Sequence, residues 1–238
     1  MRLSTALAAA ALTAGLTAAS AVSAAPITAL SFTQNASGSP VTGTQVGGTT
    51  TLSGTDIAVD IGLLGDNPVS ISAFITFTAT NTNAITITPL PPAGPAGDLY
   101  LQNYSGSFTI TSGVGGTGIN YLSGTFVDLA FAIDGASSFT LSASTPPATQ
   151  VTYTSSVLSV DQLLEPRALG FTFANVVEPV ALCNPGPEQT LCSFTSSVAG
   201  NFSSNSTAIP EPASLALLGA GLLGLGFARR ARKARAAA

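Results

Sequence analysis

The chain has 238 residues, 45% of them hydrophobic and only 8% charged, with no histidine and no tryptophan. Of its seven cations, Arg2 stands at the N-terminus and five lie in the last ten residues, which leaves the body (25–209) with Arg167 alone against ten of the eleven carboxylates and a net charge of −9. Such a surface cannot neutralise phosphates, which excludes nucleic acid as a partner, and the lack of histidine removes the commonest general base and zinc ligand.

The chain opens on a short cationic stretch, Met1-Arg2, followed by an Ala/Leu-rich run over 3–22 and small residues at Val22-Ser23-Ala24. This is the pattern of a signal peptide over 1–24, handed to the Sec export machinery and removed. Cleavage after Ala24 is favoured over cleavage after Ala25, which would leave Pro26 directly behind the cut.

From there an all-β domain is predicted over 25–205. Weak period-two alternation over 27–33 and 49–53 precedes a strong example at 70–80, where Ile71, Ala73, Ile75, Phe77 and Ala79 alternate with Ser and Thr, Phe74 excepted. A pattern with that period is a strand with one buried face. A weak candidate at 84–88 is followed by 105–111, with Phe108 and Ile110 inward. The stretch 121–133 passes from Leu122 and Phe126 to Val127, Leu129, Phe131 and Ile133, a change of phase that predicts a bulge or a strand passing from one sheet environment to another. Alternation returns at 138–144 through Phe139, Leu141 and Ala143, weakly at 151–157, at 168–174 through Leu169, Phe171 and Phe173, and along Phe194, Val198 and Phe202. Residues 160–165 suit a single helical turn. Turn signals separate the runs: Gly47-Gly48, Asp66-Asn67-Pro68, 89–97, 113–118, Asp134-Gly135 and Pro146-Pro147. Short strands at this spacing predict an antiparallel β-sandwich, jelly-roll-like; a stacked solenoid is the alternative, but no fixed repeat supports it. Cys183 and Cys192 are the only thiols, on the exported side and flanking a turn-rich segment, and are predicted to form a disulfide.

The C-terminus (206–238) has a different character. Pro210-Glu211-Pro212 leads into an apolar run over 213–228, roughly 24 Å long as a helix and just sufficient for a thin bilayer, then Arg229, Arg230, Arg232, Lys233 and Arg235. The basic tail (229–238) would stay cytoplasmic and leave the body outside. Pro210-Glu211-Pro212-Ala213-Ser214, the Leu/Gly/Ala stretch over 215–227 and the basic tail together resemble the sorting signal of the PEP-CTERM proteins of Gram-negative bacteria, although the segment lacks the tryptophan of many members. The resemblance covers about 30 residues. It implies an inner-membrane-anchored precursor, recognition near Pro-Glu-Pro by an exosortase-type membrane protease and transpeptidase, and export to the cell surface or extracellular matrix coupled to exopolysaccharide or biofilm.

The body offers little for catalysis. It has no lysine for a Schiff base, and the carboxylates nearest each other in sequence, Asp128 with Asp134 and Asp161 with Glu165, border turns. Two acids suffice for glycoside cleavage, so a glycan-cleaving enzyme remains one reading. Tyr100 and Tyr104, beside Asp98, Gln102 and Asn103, form the one polar-aromatic cluster suited to stacking on a sugar, which makes a carbohydrate-binding or adhesive module a second. Asp56, Asp60 and Asp66 carry hard oxygen ligands for calcium but form no compact Asp-x-Asp-x-Asp loop, so no metal and no cofactor is assigned. The leading expectation is a noncatalytic exported surface or matrix protein.

Overall fold

The computed structural model describes residues 26–36, 38–64, 70–89, 97–144, 151–184 and 186–205, the side chains of 128 and 129 excepted. The predicted signal peptide, Asp66 and the C-terminal segment, from Pro210-Glu211-Pro212 through the predicted helix at 213–228 to the basic tail, lie outside the described residues. Among the described residues no helix is long and apolar enough to cross a membrane.

The strands are β1 (Pro26–Gln34), β2 (Val41–Val46), β3 (Thr49–Leu63), β4 (Ile71–Asn81), β5 (Thr86–Thr88), β6 (Leu99–Thr111), β7 (Asn120–Ile133) and β8 (Phe139–Ser144). They continue as β9 (Thr152–Thr154), β10 (Leu164–Val177), β11 (Leu182–Cys183), β12 (Thr190–Leu191) and β13 (Phe194–Asn205). The helical turn expected at 160–165 is a single 3-10 turn at Val160–Gln162, its start held by the Ser159 N–H donating to Gln162 Oε1 at 3.0 Å.

Eleven strands form one antiparallel sheet in the order β5-β6-β4-β3-β1-β13-β10-β8-β7-β9, with β2 between β3 and β13, where it prolongs the slot that β1 begins. β6 also pairs with β7 along nearly its whole length, from Leu99 opposite Ile133 to Thr111 opposite Asn120, and this closes the sheet into a ring. The expected sandwich of two separate sheets is therefore one continuous wall. Strands on opposite sides of the ring nonetheless touch through their aromatic rings. Phe108 of β6 stacks on Phe202 of β13 at 4.5 Å, and Phe77 of β4 on Phe171 of β10 at 5.5 Å. Eight strands enclose just enough space for side chains to fill, and here phenylalanines fill it.

The expectation about phase in β7 holds only in part. The register does shift, but at the start of the strand, where Ile110 faces Leu122, Thr111 faces Asn120, and Tyr121 and Leu122 are both buried; past Phe126 the phase holds, with Ala130 and Ala132 facing the core and Phe131 and Ile133 38% and 41% exposed. The small inward residues are matched to large partners, since Ala132 lies between Tyr100 and Phe139 across the sheet. A further bulge, which the sequence pattern did not predict, lies in β3 between Gly54 and Ile57, where the buried positions pass from Leu52 to Ile57, Val59 and Ile61. Asp56 sits at that bulge with φ of 50°. Its Oδ1 accepts from the Gly115 N–H at 2.7 Å and from Thr76 Oγ1 at 3.3 Å.

The ring has two ends. At one, Asn205 lies beside both Pro26 and Leu164, so the described chain starts and stops on neighbouring strands; the β6–β7 and β9–β10 connections are at the same end. We call this the exit pole. The far pole carries the β2–β3 and β7–β8 turns and the β11–β12 hairpin.

Candidate functional site

The described domain presents three places where function could reside: the tyrosine cluster, the outer face and the exit pole. At the far pole the predicted disulfide is formed between Cys183 and Cys192. It ties off the β11–β12 hairpin, which buries Thr190 and Leu191 against the barrel. Asn184 Nδ2 and the Gln189 carbonyl bond to Gly47 O and the Ile85 N–H, respectively, and so fix the loop to the β2–β3 turn and to the segment after β4.

Beneath that hairpin runs a chain of hydrogen bonds whose direction is fixed by its end. Thr50 Oγ1 donates to Leu191 O at 2.5 Å, so in the 2.6 Å contact between Thr50 and Thr190 the Thr190 hydroxyl is the donor. Thr190 Oγ1 then accepts from Gln102 Nε2 at 3.1 Å, whose second proton goes to Asn83 O at 3.0 Å, while Gln102 Oε1 accepts from Tyr104 OH at 3.0 Å.

This geometry corrects the glycan-contact expectation. Tyr104 is 0% exposed and Tyr100 6%, so neither ring has a face to offer a sugar. Along β6 the inward positions are Tyr100, Gln102 and Tyr104, and of the polar residues that made the cluster look superficial, Gln102 belongs to the buried network. Burial pushes the Tyr104 phenol far above its ordinary value. Tyr100 is pushed up to about 12, first by burial, then by a hydrogen bond to Asp134 and the charges of Asp134 and Asp98.

The acidic candidates are dispersed. Asp56 is committed to the bulge, Asp60 accepts from Ser72 at 3.4 Å on the exposed side, and Asp161 and Glu165 are exposed near the exit pole. Among the described residues no three acidic or sulfur side chains come together as a metal cage would require. Arg167 closes the gap between β9 and β10: its guanidinium donates to Leu163 O at 2.7 Å and Val151 O at 3.3 Å, and lies 5.9 Å from the centre of the Tyr153 ring. Tyr153 OH donates to Ala168 O at 2.5 Å.

The outer face is built from hydroxyls. One row crosses six strands as Thr42, Ser53, Thr78, Ser107, Thr125 and Thr152, and a second runs through Thr76, Thr109, Ser123 and Thr154. Neighbours pair directly, Thr125 with Thr152 at 2.8 Å and Ser123 with Thr154 at 2.9 Å. A shallow depression of about 320 Å³ opens among Thr78, Thr80, Ser105, Ser107 and Thr125.

Beyond Asn205 the chain continues into the segment already distinguished by its sequence, and here comparison is decisive. Residues 208–233 match the PEP-CTERM protein-sorting motif. The PEP-CTERM motif marks an exported protein whose membrane-anchored precursor is processed by exosortase, itself a membrane protein, on the way to the cell surface. The match leaves the barrel uncovered, and comparison of the chain with curated proteins and with solved structures finds no match. The PEP-CTERM segment is thus the functional element that sequence reasoning located; the buried polar chain and the hydroxyl rows are the features it missed.

Proposed function

We propose that this is a noncatalytic protein of the cell surface or extracellular matrix, delivered through its PEP-CTERM segment and associated there with exopolysaccharide. The observation that carries the reading is the outer face: rows of Ser and Thr hydroxyls, interrupted by few charges, on the domain that the sorting signal exports. Neutral hydroxyls exchange hydrogen bonds with sugar hydroxyls and with water at nearly equal cost, which suits a protein dispersed in a hydrated glycan phase. An adhesive module acting through an aromatic platform is less well supported, because Tyr100 and Tyr104 are core residues.

The test is made in the native host. The mass of the C-terminal peptide is measured in envelope and culture fluid, and the protein is followed while exopolysaccharide is stripped from the cells. A terminus within 210–213, free or carrying an added group, together with co-release of protein and polysaccharide, is the expected result. A tail intact to Ala238, or protein indifferent to removal of the polysaccharide, would overturn the reading.

A further inference from the structure

We infer that the far pole carries a sugar-binding cleft, formed between the β2–β3 turn, the segment after β4 and the disulfide-closed loop, and that its ligand is an uncharged sugar residue with adjacent hydroxyls. The cleft stands apart from the tyrosine cluster, the outer face and the exit pole. It rests on the exopolysaccharide reading and gives that reading a definite point of contact.

The first observation is a cavity with fixed walls. A cleft of about 360 Å³ lies among Gly48, Thr49, Asn81, Asn83, Pro187 and Glu188, within the size range of small-molecule sites. Asn81 ties two of its sides together: Oδ1 accepts from the Thr50 N–H at 2.7 Å, and Nδ2 donates to Gly48 O at 3.2 Å and to Asn83 O at 3.0 Å. The third side is the loop closed by Cys183 and Cys192. Glu188 sits in that loop between two anchors, Asn184 Nδ2 on Gly47 O and Gln189 O, which accepts from the Ile85 N–H at 2.9 Å. Gly48 leaves the floor open, because a Cβ there would come within 3.0 Å of Glu188 Cβ and 3.1 Å of Glu188 Oε2.

The second observation is what those walls leave unspent. Asn83 Oδ1 accepts from the Asn103 N–H at 2.9 Å. A backbone N–H only donates, so the amide's orientation is set, and Nδ2 keeps both protons with no hydrogen-bond partner among the described residues. The Glu188 carboxylate has neither hydrogen bond nor ion pair among those residues. An oriented donor and a free carboxylate on one cleft suit a sugar: adjacent hydroxyls donate to the two carboxylate oxygens, and a further oxygen accepts from the amide. Pro187 and Ala84 offer apolar surface to the C–H face of the ring. On the outer face, by contrast, hydroxyls already pair with one another.

Charge narrows the ligand class. Arg167, the only cation of the body, is engaged between β9 and β10, so nothing in the cleft neutralises a uronate or a sulfate. The Nδ2 protons of Asn83 in turn oppose a metal ion, which would need oxygen in their place.

The test uses full-length protein in detergent, run through gels containing exopolysaccharide from the native host that has been separated by anion exchange into neutral and acidic fractions. The neutral fraction should retard the parent. Asn83→Asp keeps the acceptor for Asn103 and replaces the amide donor, and Glu188→Ala deletes the carboxylate; each should weaken binding about ten-fold. Glu178→Ala removes an exposed carboxylate outside the cleft and should bind as the parent does. All three positions are exposed, and thermal unfolding checks that the fold is unchanged. Retardation of the parent that the two cleft variants fully retain, or retardation by the acidic fraction alone, overturns the inference and leaves the exopolysaccharide reading standing. A parent retarded by neither fraction overturns both.

Discussion

Replacing Thr190 by valine keeps the shape of a fully buried side chain and deletes one hydroxyl from the chain Tyr104–Gln102–Thr190–Thr50–Leu191. Gln102 Nε2 loses the acceptor at 3.1 Å and retains only Asn83 O for its two protons, while Thr50 Oγ1 loses a donor but still donates to Leu191 O. One buried donor left unmet costs roughly 1–3 kcal/mol, so a loss of about 2 kcal/mol is expected. With a urea m-value of about 2 kcal/mol/M for a domain of this size, the unfolding midpoint falls by about 1 M. Thr140→Val, on the exposed face of β8, serves as control and should stay within about 0.5 kcal/mol of the parent. Tyr104→Phe removes the donor to Gln102 Oε1. Because both substitutions act on the same amide, their combined cost should depart from the sum by at least about 0.5 kcal/mol. A Thr190→Val loss below that size, or simple additivity, would refute the directional chain.

Other expectations concern the closures of the fold. Cys183→Ser with Cys192→Ser opens a loop of ten residues and should cost about 2.7 kcal/mol by the chain-entropy relation, a fall of about 5–10 °C in Tm that reductant reproduces in the parent. Arg167→Met removes charged donors to Leu163 O and Val151 O and should destabilise by about 2 kcal/mol, read by thermal unfolding, with no comparable loss from Glu165→Gln on the exposed partner. In alkali the buried phenols govern stability: Tyr100, Tyr104 and Tyr153 all have folded values raised above 10.0, so their contribution is complete below pH 10 and is lost as pH rises beyond it. Tyr104 and Tyr153 together give a slope of about −2.7 kcal/mol per pH unit, so unfolding and phenolate absorbance should appear together; phenolate signal from a domain that keeps its circular dichroism would contradict this.

The strands that sequence made legible are those in which large apolar residues mark the inward positions, as in β4, β8, β10 and β13. β2 was invisible because its inward Gly43 gives up its space to Phe194, whose ring lies 2.4 Å from where a Cβ would stand. The second half of β3 was hidden by the bulge at Asp56, which breaks the alternation where a reader follows it. In β7 the rule that large means inward failed, because Ala130 and Ala132 face Tyr100, Phe139 and Leu141. Tyr100 and Tyr104 were misplaced for a related reason: Gln102 between them suggested a surface, and a buried glutamine becomes intelligible only once Thr190, 88 residues away, supplies its partner. The sorting signal needed no tertiary information, since export machinery reads it from the chain directly.

Closure of the ring has a consequence for material crowded into a matrix. An open sheet offers its last strand as a template, and neighbouring molecules can extend it into fibres by backbone pairing alone. In the main sheet here the strands with a single neighbour, β5 and β9, are three residues each, too short to seed such growth. Among the described residues the main sheet therefore offers no long edge from which such growth could start where the protein accumulates outside the cell. Higher order in this domain would then be built through its side chains rather than through its backbone.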